Sequence, residues 1–143
     1  TCFAQTGSAS DGDEKLMEAM VTGLTDPNLI GPGQCNEGFL RPDASLLLLI
    51  ISDIDDTNSA GNPVDWYNAA LAAKNGDASK VSVLGFVPPN QTGDPCGEGP
   101  RYDAFFGFFP DGQKEASNIC TIMASEVEPQ VQTLANAVCP DSM

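Results

Sequence analysis

The sequence contains no histidine and only six lysines and arginines against twenty aspartates and glutamates, a formal net charge of −14. So little positive charge excludes a surface built to hold phosphate backbones, and nucleic acid is not an expected partner. Anionic membranes are disfavoured for the same reason. None of the cysteines stands in a CxxC pair, and no histidine is there to join them, so a zinc site has no ligand set. The apolar run from Leu46 to Ile51 falls far short of the ~20 residues that span a bilayer, so membrane insertion is not expected. The chain opens on Thr1 rather than Met and carries no signal peptide, which reads as a processed or truncated product.

What is present fits a single domain over residues 1–143 with one hydrophobic core. Most of the carboxylates read as solubility groups, and cations are the natural partners of the remainder. The five cysteines, Cys2, Cys35, Cys96, Cys120 and Cys139, are widely spaced in a chain with 14 glycines and 11 prolines. That pattern fits disulfides and an oxidising compartment, hence a secreted or cell-surface location. An odd count leaves at least one thiol free or paired outside this sequence. Cys2 with Cys35 and Cys96 with Cys120 is one arrangement, leaving Cys139 over, and other pairings stay open. Asn90-Gln91-Thr92 is a glycosylation sequon on an expected loop.

Along the chain, residues 1–12 are small and polar and read as a loop. Asp13 to Leu24 reads as a helix, with Leu16, Met20 and Leu24 every four residues and acidic side chains at its start. The stretch 25–43 is a loop that a disulfide can pin. Leu46 to Ile51 is continuously apolar, as in a parallel strand buried on both faces. Asn62-Pro63 opens a helix bearing Trp66, Tyr67, Ala70 and Leu71, and Asn75-Gly76 closes it. Lys80 to Val87 is a second strand, completing a βαβ unit. Pro88 to Gly112, with Phe105, Phe106, Phe108 and Phe109, reads as a loop folded back on the sheet edge. Ile119, Ile122, Met123, Val127, Val131, Leu134 and Val138 step by three and four as one packed helix, which Pro129 is expected to split.

The segment that concentrates chemistry is Ser52-Asp53-Ile54-Asp55-Asp56-Thr57-Asn58-Ser59, delivered by the Leu-rich strand to its C-terminal end. Ligands of open α/β sheets sit at such ends. Crowded carboxylates repel unless a cation or hydrogen-bond donors satisfy them, and oxygen ligands suit Mg²⁺ or Ca²⁺. The alternative is an acidic turn without an ion, in which Asp55 or Asp56 caps the loop. The tetrapeptide Asp53-Ile54-Asp55-Asp56 followed by Thr57 resembles the first motif of haloacid-dehalogenase-type phosphatases. That resemblance implies Asp53 as nucleophile and Asp55 as general acid, but no later strand ends in the second acidic pair such an enzyme uses.

A broader likeness covers nearly the whole chain. Gly7 to Met20, then Asn36-Glu37-Gly38-Phe39-Leu40-Arg41-Pro42-Asp43-Ala44, then the strand ending Ser52-Asp53-Ile54-Asp55-Asp56, resembles secreted bacterial von Willebrand factor A-type domains. Pro63, Trp66, Leu71, Lys74, the strand at Val81 and the Cys96, Ile119-Cys120, Cys139 pattern extend the similarity. The resemblance implies an α/β fold, part of a three-layer, mainly parallel, doubly wound Rossmann-like sheet with disulfide-pinned loops. It implies a divalent cation, Mg²⁺ or Ca²⁺, in an adhesion site. Asp53 matches the acid after the fourth strand and Ser10 the middle hydroxyl, with Thr6 and Ser8 as alternatives; Asp55 is a further candidate ligand. The family's first strands and its Asp-x-Ser-x-Ser element are absent, so the chain corresponds to the second half of such a domain. The missing ligands are then expected from an N-terminal portion or a protein partner, in a homo- or hetero-oligomer. The function implied is extracellular adhesion or protein-protein assembly, cation-bridged, with no bond made or broken. A structural subunit of a filament, holding no metal, is the first alternative.

Overall fold

The computed structural model describes residues 14–138. In chain order these form α1 (Leu16–Thr25), α2 (Pro27–Ile30), β1 (Leu46–Ile51), α3 (Pro63–Ala72), β2 (Val81–Val87), α4 (Pro100–Gly107), β3 (Lys114–Asn118) and α5 (Ala124–Val138). The three strands make one parallel sheet in the order β1-β2-β3. Leu46 lies beside Val81 and Ile51 beside Phe86, while Val83 to Val87 run alongside Lys114 to Asn118. A mixed α/β fold with a parallel sheet and five helices is compatible with a Rossmann-like arrangement.

The β1-α3-β2 unit forms where the sequence places it. Asn62 accepts from Val64 N, and Asp65 reaches back to accept from Asn62 N, a capping box with Pro63 at the first helical position. The helix is left through Asn75 at φ 54° and Gly76 at φ 82°, the left-handed turn that glycine adopts without strain. β2 is buried along its whole length and carries the core on both sides. On one face Leu46, Leu48, Ile50, Val81, Val83 and Val87 pack with Met17, Leu24, Trp66, Ala70 and the aromatic side chains of α4. On the other, Leu84 and Phe86 meet Leu134 of α5, with Ile119, Ile122 and Val127 around them. Gly85 lets α4 approach: a Cβ there would stand 2.2 Å from Phe106 Cζ.

Several expectations need correction. The segment 88–112 is not all loop, because residues 100–107 form α4, with Pro100 in its first turn. Tyr102, Phe105 and Phe106 are buried, as is Phe109 just beyond the helix, so the aromatic group folds back except for Phe108, which stays exposed. The group's rings meet edge to face, Phe105 on Phe109 at 5.2 Å and Tyr67 on Phe109 at 5.0 Å between centroids. A third parallel strand, β3, follows where none was foreseen. The last helix starts at Ala124 rather than Ile119 and continues through Pro129. A proline there forgoes one backbone bond and crowds the carbonyl four residues back, yet the helix runs on across it with Val127 and Leu134 packed toward β2. Lys80 ends a 3-10 turn and precedes β2.

Strand β1, contrary to expectation, is not buried on both faces. Its burial alternates, leaving Leu47 39%, Leu49 56% and Ile51 56% exposed. The reason is coverage: α5 packs chiefly against β2 and β3, and Leu134 seats on Leu84 and Phe86 of β2 rather than on β1. Among the described residues β1 also has a single neighbouring strand, so its outer edge is open.

Candidate functional site

Two helices without side-chain caps of their own converge on the turn after β1. Lys15 precedes α1 and Gly99 precedes α4 at the capping position, and neither residue's side chain caps its helix. Their free N–H groups are satisfied by the acidic turn. Asp56, fully buried, accepts from Met17 N at 2.7 Å and from Ser59 N and Oγ at 2.9 and 2.7 Å. Ser59 Oγ in turn accepts from Glu18 N at 2.8 Å, and Glu18 returns the contact by accepting from Ala60 N at 3.1 Å. The two segments form a capping box assembled between distant parts of the chain. Asp55 does the same for α4, accepting from Arg101 N at 3.2 Å and Tyr102 N at 3.4 Å. Carboxylates at helix N-termini also meet the positive end of the macrodipole.

Arg101 locks the arrangement. Its guanidinium lies over the Trp66 ring, 4.4 Å from the centroid, and donates to the carbonyls of Asp56 and Gly61. Trp66 Nε1 donates to Ala60 O at 2.8 Å. The Ser52 hydroxyl lies 2.7 Å from Glu14 Oε2 and 2.8 Å from Ile54 O. Burial raises the Asp55 carboxyl above its ordinary range, against the pull of the Tyr102 and Arg101 N–H groups. Burial likewise pushes the Tyr102 phenol up to about 12, opposed by neighbouring Ser52 and reinforced by Asp56, Glu14 and Asp55. The Tyr102 hydroxyl makes no hydrogen bond of normal geometry; Ser52, its nearest candidate, is turned toward Glu14 and Ile54.

Of the sequence-derived site residues, Asp53 and Asp55 lie at this tip, and Asp53 differs from its neighbours. It is exposed and makes no hydrogen bond or ion pair among the described residues. Ser10, Thr6 and Ser8 lie outside the described residues, as do Cys2 and Cys139. Cys96 and Cys120 form a disulfide, and Cys35 is disulfide-bonded as well. Among the described residues no group of three or more His, Cys, Asp or Glu side chains is placed to hold a metal ion, and no helix is long and apolar enough to cross a membrane. Ser59 belongs to the segment that the sequence singles out, whereas Arg101, Tyr102 and Glu14 join the tip from elsewhere in the chain. The available signal was negative: two helix starts lacking a local cap need one from elsewhere.

Beyond α4, a cleft lined by Val87, Pro88, Asn90, Asp103, Phe106 and Asn118 opens at the C-terminal ends of β2 and β3. Its polar groups are already engaged. Asn90 donates to Asp103 at 3.2 Å, and Asn118 to Asp94 at 2.7 Å. Comparison of the chain with protein families, with curated proteins and with solved structures finds no match.

Proposed function

We propose that the chain is a protein-protein assembly module of an extracellular or cell-surface structure, and that it docks through β1. The observation that carries this reading is the combination on one strand of a backbone edge left unpaired among the described residues and an exposed apolar row, Leu47, Leu49 and Ile51. The opposite edge gives the contrast. β3 reads Lys-Glu-Ala-Ser-Asn, with charges of the kind that protect natural edges from pairing. β1 has no charge, proline or bulge, so nothing in it opposes addition of a strand. A groove between α1 and this edge, lined by Met20, Gly23, Phe39, Leu47 and Leu49, extends the apolar surface. The Cys96–Cys120 disulfide accords with an oxidising compartment.

A cation-bridged form of the contact is the second reading, favoured by the unengaged carboxylate of Asp53 at the C-terminal end of β1. Asp55 and Asp56 serve helix N-termini, so the described residues do not by themselves fit a Mg²⁺ or Ca²⁺ site. The partner would have to bring most of the oxygens. The phosphatase reading has less support, since Asp55, its general acid, is held by α4 N–H groups.

The test uses a fluorescent peptide carrying the β1 sequence, residues 45–52, between lysine pairs. Saturable binding is expected, abolished by Leu49→Lys and unaffected by EDTA. Loss of binding in EDTA and in Asp53→Ala would move the reading to cation-bridged adhesion. Absence of saturable binding would remove the β1 edge as a docking site.

A further inference from the structure

We infer that the occupant of the β1 edge is a second copy of this chain, its own β1 running antiparallel about a two-fold axis at Leu49. This rests on the assembly reading and adds to it the identity and direction of the partner.

The direction follows from how charge is distributed along β1. Three of the six cations in the sequence gather at its N-terminal end. Lys74 Nζ donates to Arg41 O at 2.8 Å, and Lys80 Nζ donates to Pro42 O at 2.9 Å, next to the start of β2 that pairs with Leu46. Ion pairs among the described residues are confined to Lys15–Glu18 and Lys114–Asp111, so Arg41, Lys74 and Lys80 take part in none. Asp43 is the acid near them, and after burial the largest influence lowering the Lys74 pKa is crowding by Lys80 and Arg41. At the other end of β1 stand Asp53, exposed, and the carboxylates around it. The strand is therefore basic at its start and acidic at its finish, in a protein that is acidic nearly everywhere else.

A second β1 added in parallel would set like charge beside like charge at both ends. Added antiparallel, it sets the exposed Asp53 of each copy toward the end of the other that carries exposed Arg41 and half-buried Lys80, with Lys74 buried behind them. The same geometry places Leu49 beside Leu49 of the second copy and Leu47 beside its Ile51, so the exposed row becomes a set of apolar cross-strand pairs. A two-fold contact of this kind uses each open edge once and closes on itself, giving a dimer rather than a filament. The charged β3 edge does not offer a second contact. Net repulsion between two copies acts at long range and is screened beyond about 10 Å at moderate salt, whereas the end-to-end pairs act at contact.

Sedimentation velocity on the intact, oxidised chain tests this. The expected result is a concentration-dependent species of twice the 15.0 kDa chain mass. Leu49→Lys, which sets two ammonium groups on the axis, should leave only monomer with an unchanged far-UV spectrum. Asp53→Arg and Arg41→Glu should each weaken dimerisation about tenfold, and the double variant should restore it. A wild-type chain that stays monomeric overturns the inference, as does a Leu49→Lys variant that still dimerises, a double variant weaker than either single one, or growth beyond the dimer. Binding of the β1 peptide to a monomeric chain would leave the assembly reading standing and reject only the second copy.

Discussion

The carboxylate of Asp56 accepts three hydrogen bonds, one of them from the backbone of a helix 39 residues earlier in the chain. Removing it strands Met17 N and Ser59 N in a place water does not reach. Loss of a cap and of bonds to a charged acceptor together put the cost of Asp56→Ala at about 3 kcal/mol. Asp53, three positions away and exposed, should change stability by less than about 0.5 kcal/mol when replaced by alanine. Urea titration of the two variants checks the contrast, and equal losses would show that Asp53 has a structural partner after all. Tyr102 makes a separate prediction. Its phenol is raised from 10.0 to about 12 by burial, so the folded state holds this proton more tightly than the unfolded chain. The stability it contributes is complete below pH 10 and is lost as pH climbs toward 12, the direction linkage requires of a raised pKa. In Tyr102→Phe that alkaline loss should shrink. The variant should also be no less stable at neutral pH, because the buried hydroxyl it removes makes no hydrogen bond of normal geometry. An alkaline unfolding curve identical to wild type would assign the loss to other groups.

At the scale of elements, what could be read from the sequence was whatever is specified locally. The β1-α3-β2 unit announces itself through an apolar run, Asn62-Pro63 and Asn75-Gly76, each acting within a few residues of the structure it dictates. α4 does not, since its cap is Asp55, which bonds Arg101 N across 46 residues. β3 has only Ala116 as an apolar member, and it is a strand because β2 offers an edge for it to pair with. The exposure of one face of β1 has a related cause. Six apolar residues in a row say that both faces of the strand tolerate burial, and say nothing about whether a helix lies over each. The candidate site divides in the same way. The acidic tip was legible from composition and position, including the alternative that Asp55 or Asp56 caps a loop. That the acids are satisfied by N–H donors of two distant helices was not, because convergence of α1 and α4 is a tertiary fact. The feature on which the proposed function rests, the open side of β1, is the place where local pattern and tertiary coverage disagree.

Over the whole molecule, a net charge of −14 works against compactness, and the two ion pairs among the described residues do little to offset it. Cohesion at the C-terminal end of the sheet therefore depends on covalent and polar ties between the loops that follow β2 and β3. Cys96 and Cys120 join those loops across 24 residues. The same loops are stitched by Asp94, which accepts from Cys96 N at 2.9 Å and from Asn118 Nδ2 at 2.7 Å, while Asn118 accepts from Cys120 N at 2.9 Å. A disulfide closing a loop of this size contributes about 3 kcal/mol through the unfolded state. Replacing both cysteines by serine should lower stability by about that amount while the hydrogen bonds through Asp94 keep the native loop geometry. Urea midpoints report the loss. Amide exchange in β1 and at the Asp56 turn, which lie on the other side of β2 from β3, reports where it is felt. The expected pattern is faster exchange around residues 94–120 by local opening, with Met17 and Ser59 amides protected to the full remaining stability. If those two amides instead lose protection well beyond the fall in global stability, the tip is coupled to the disulfide, and the loops around α4 and the acidic turn open as one cooperative unit.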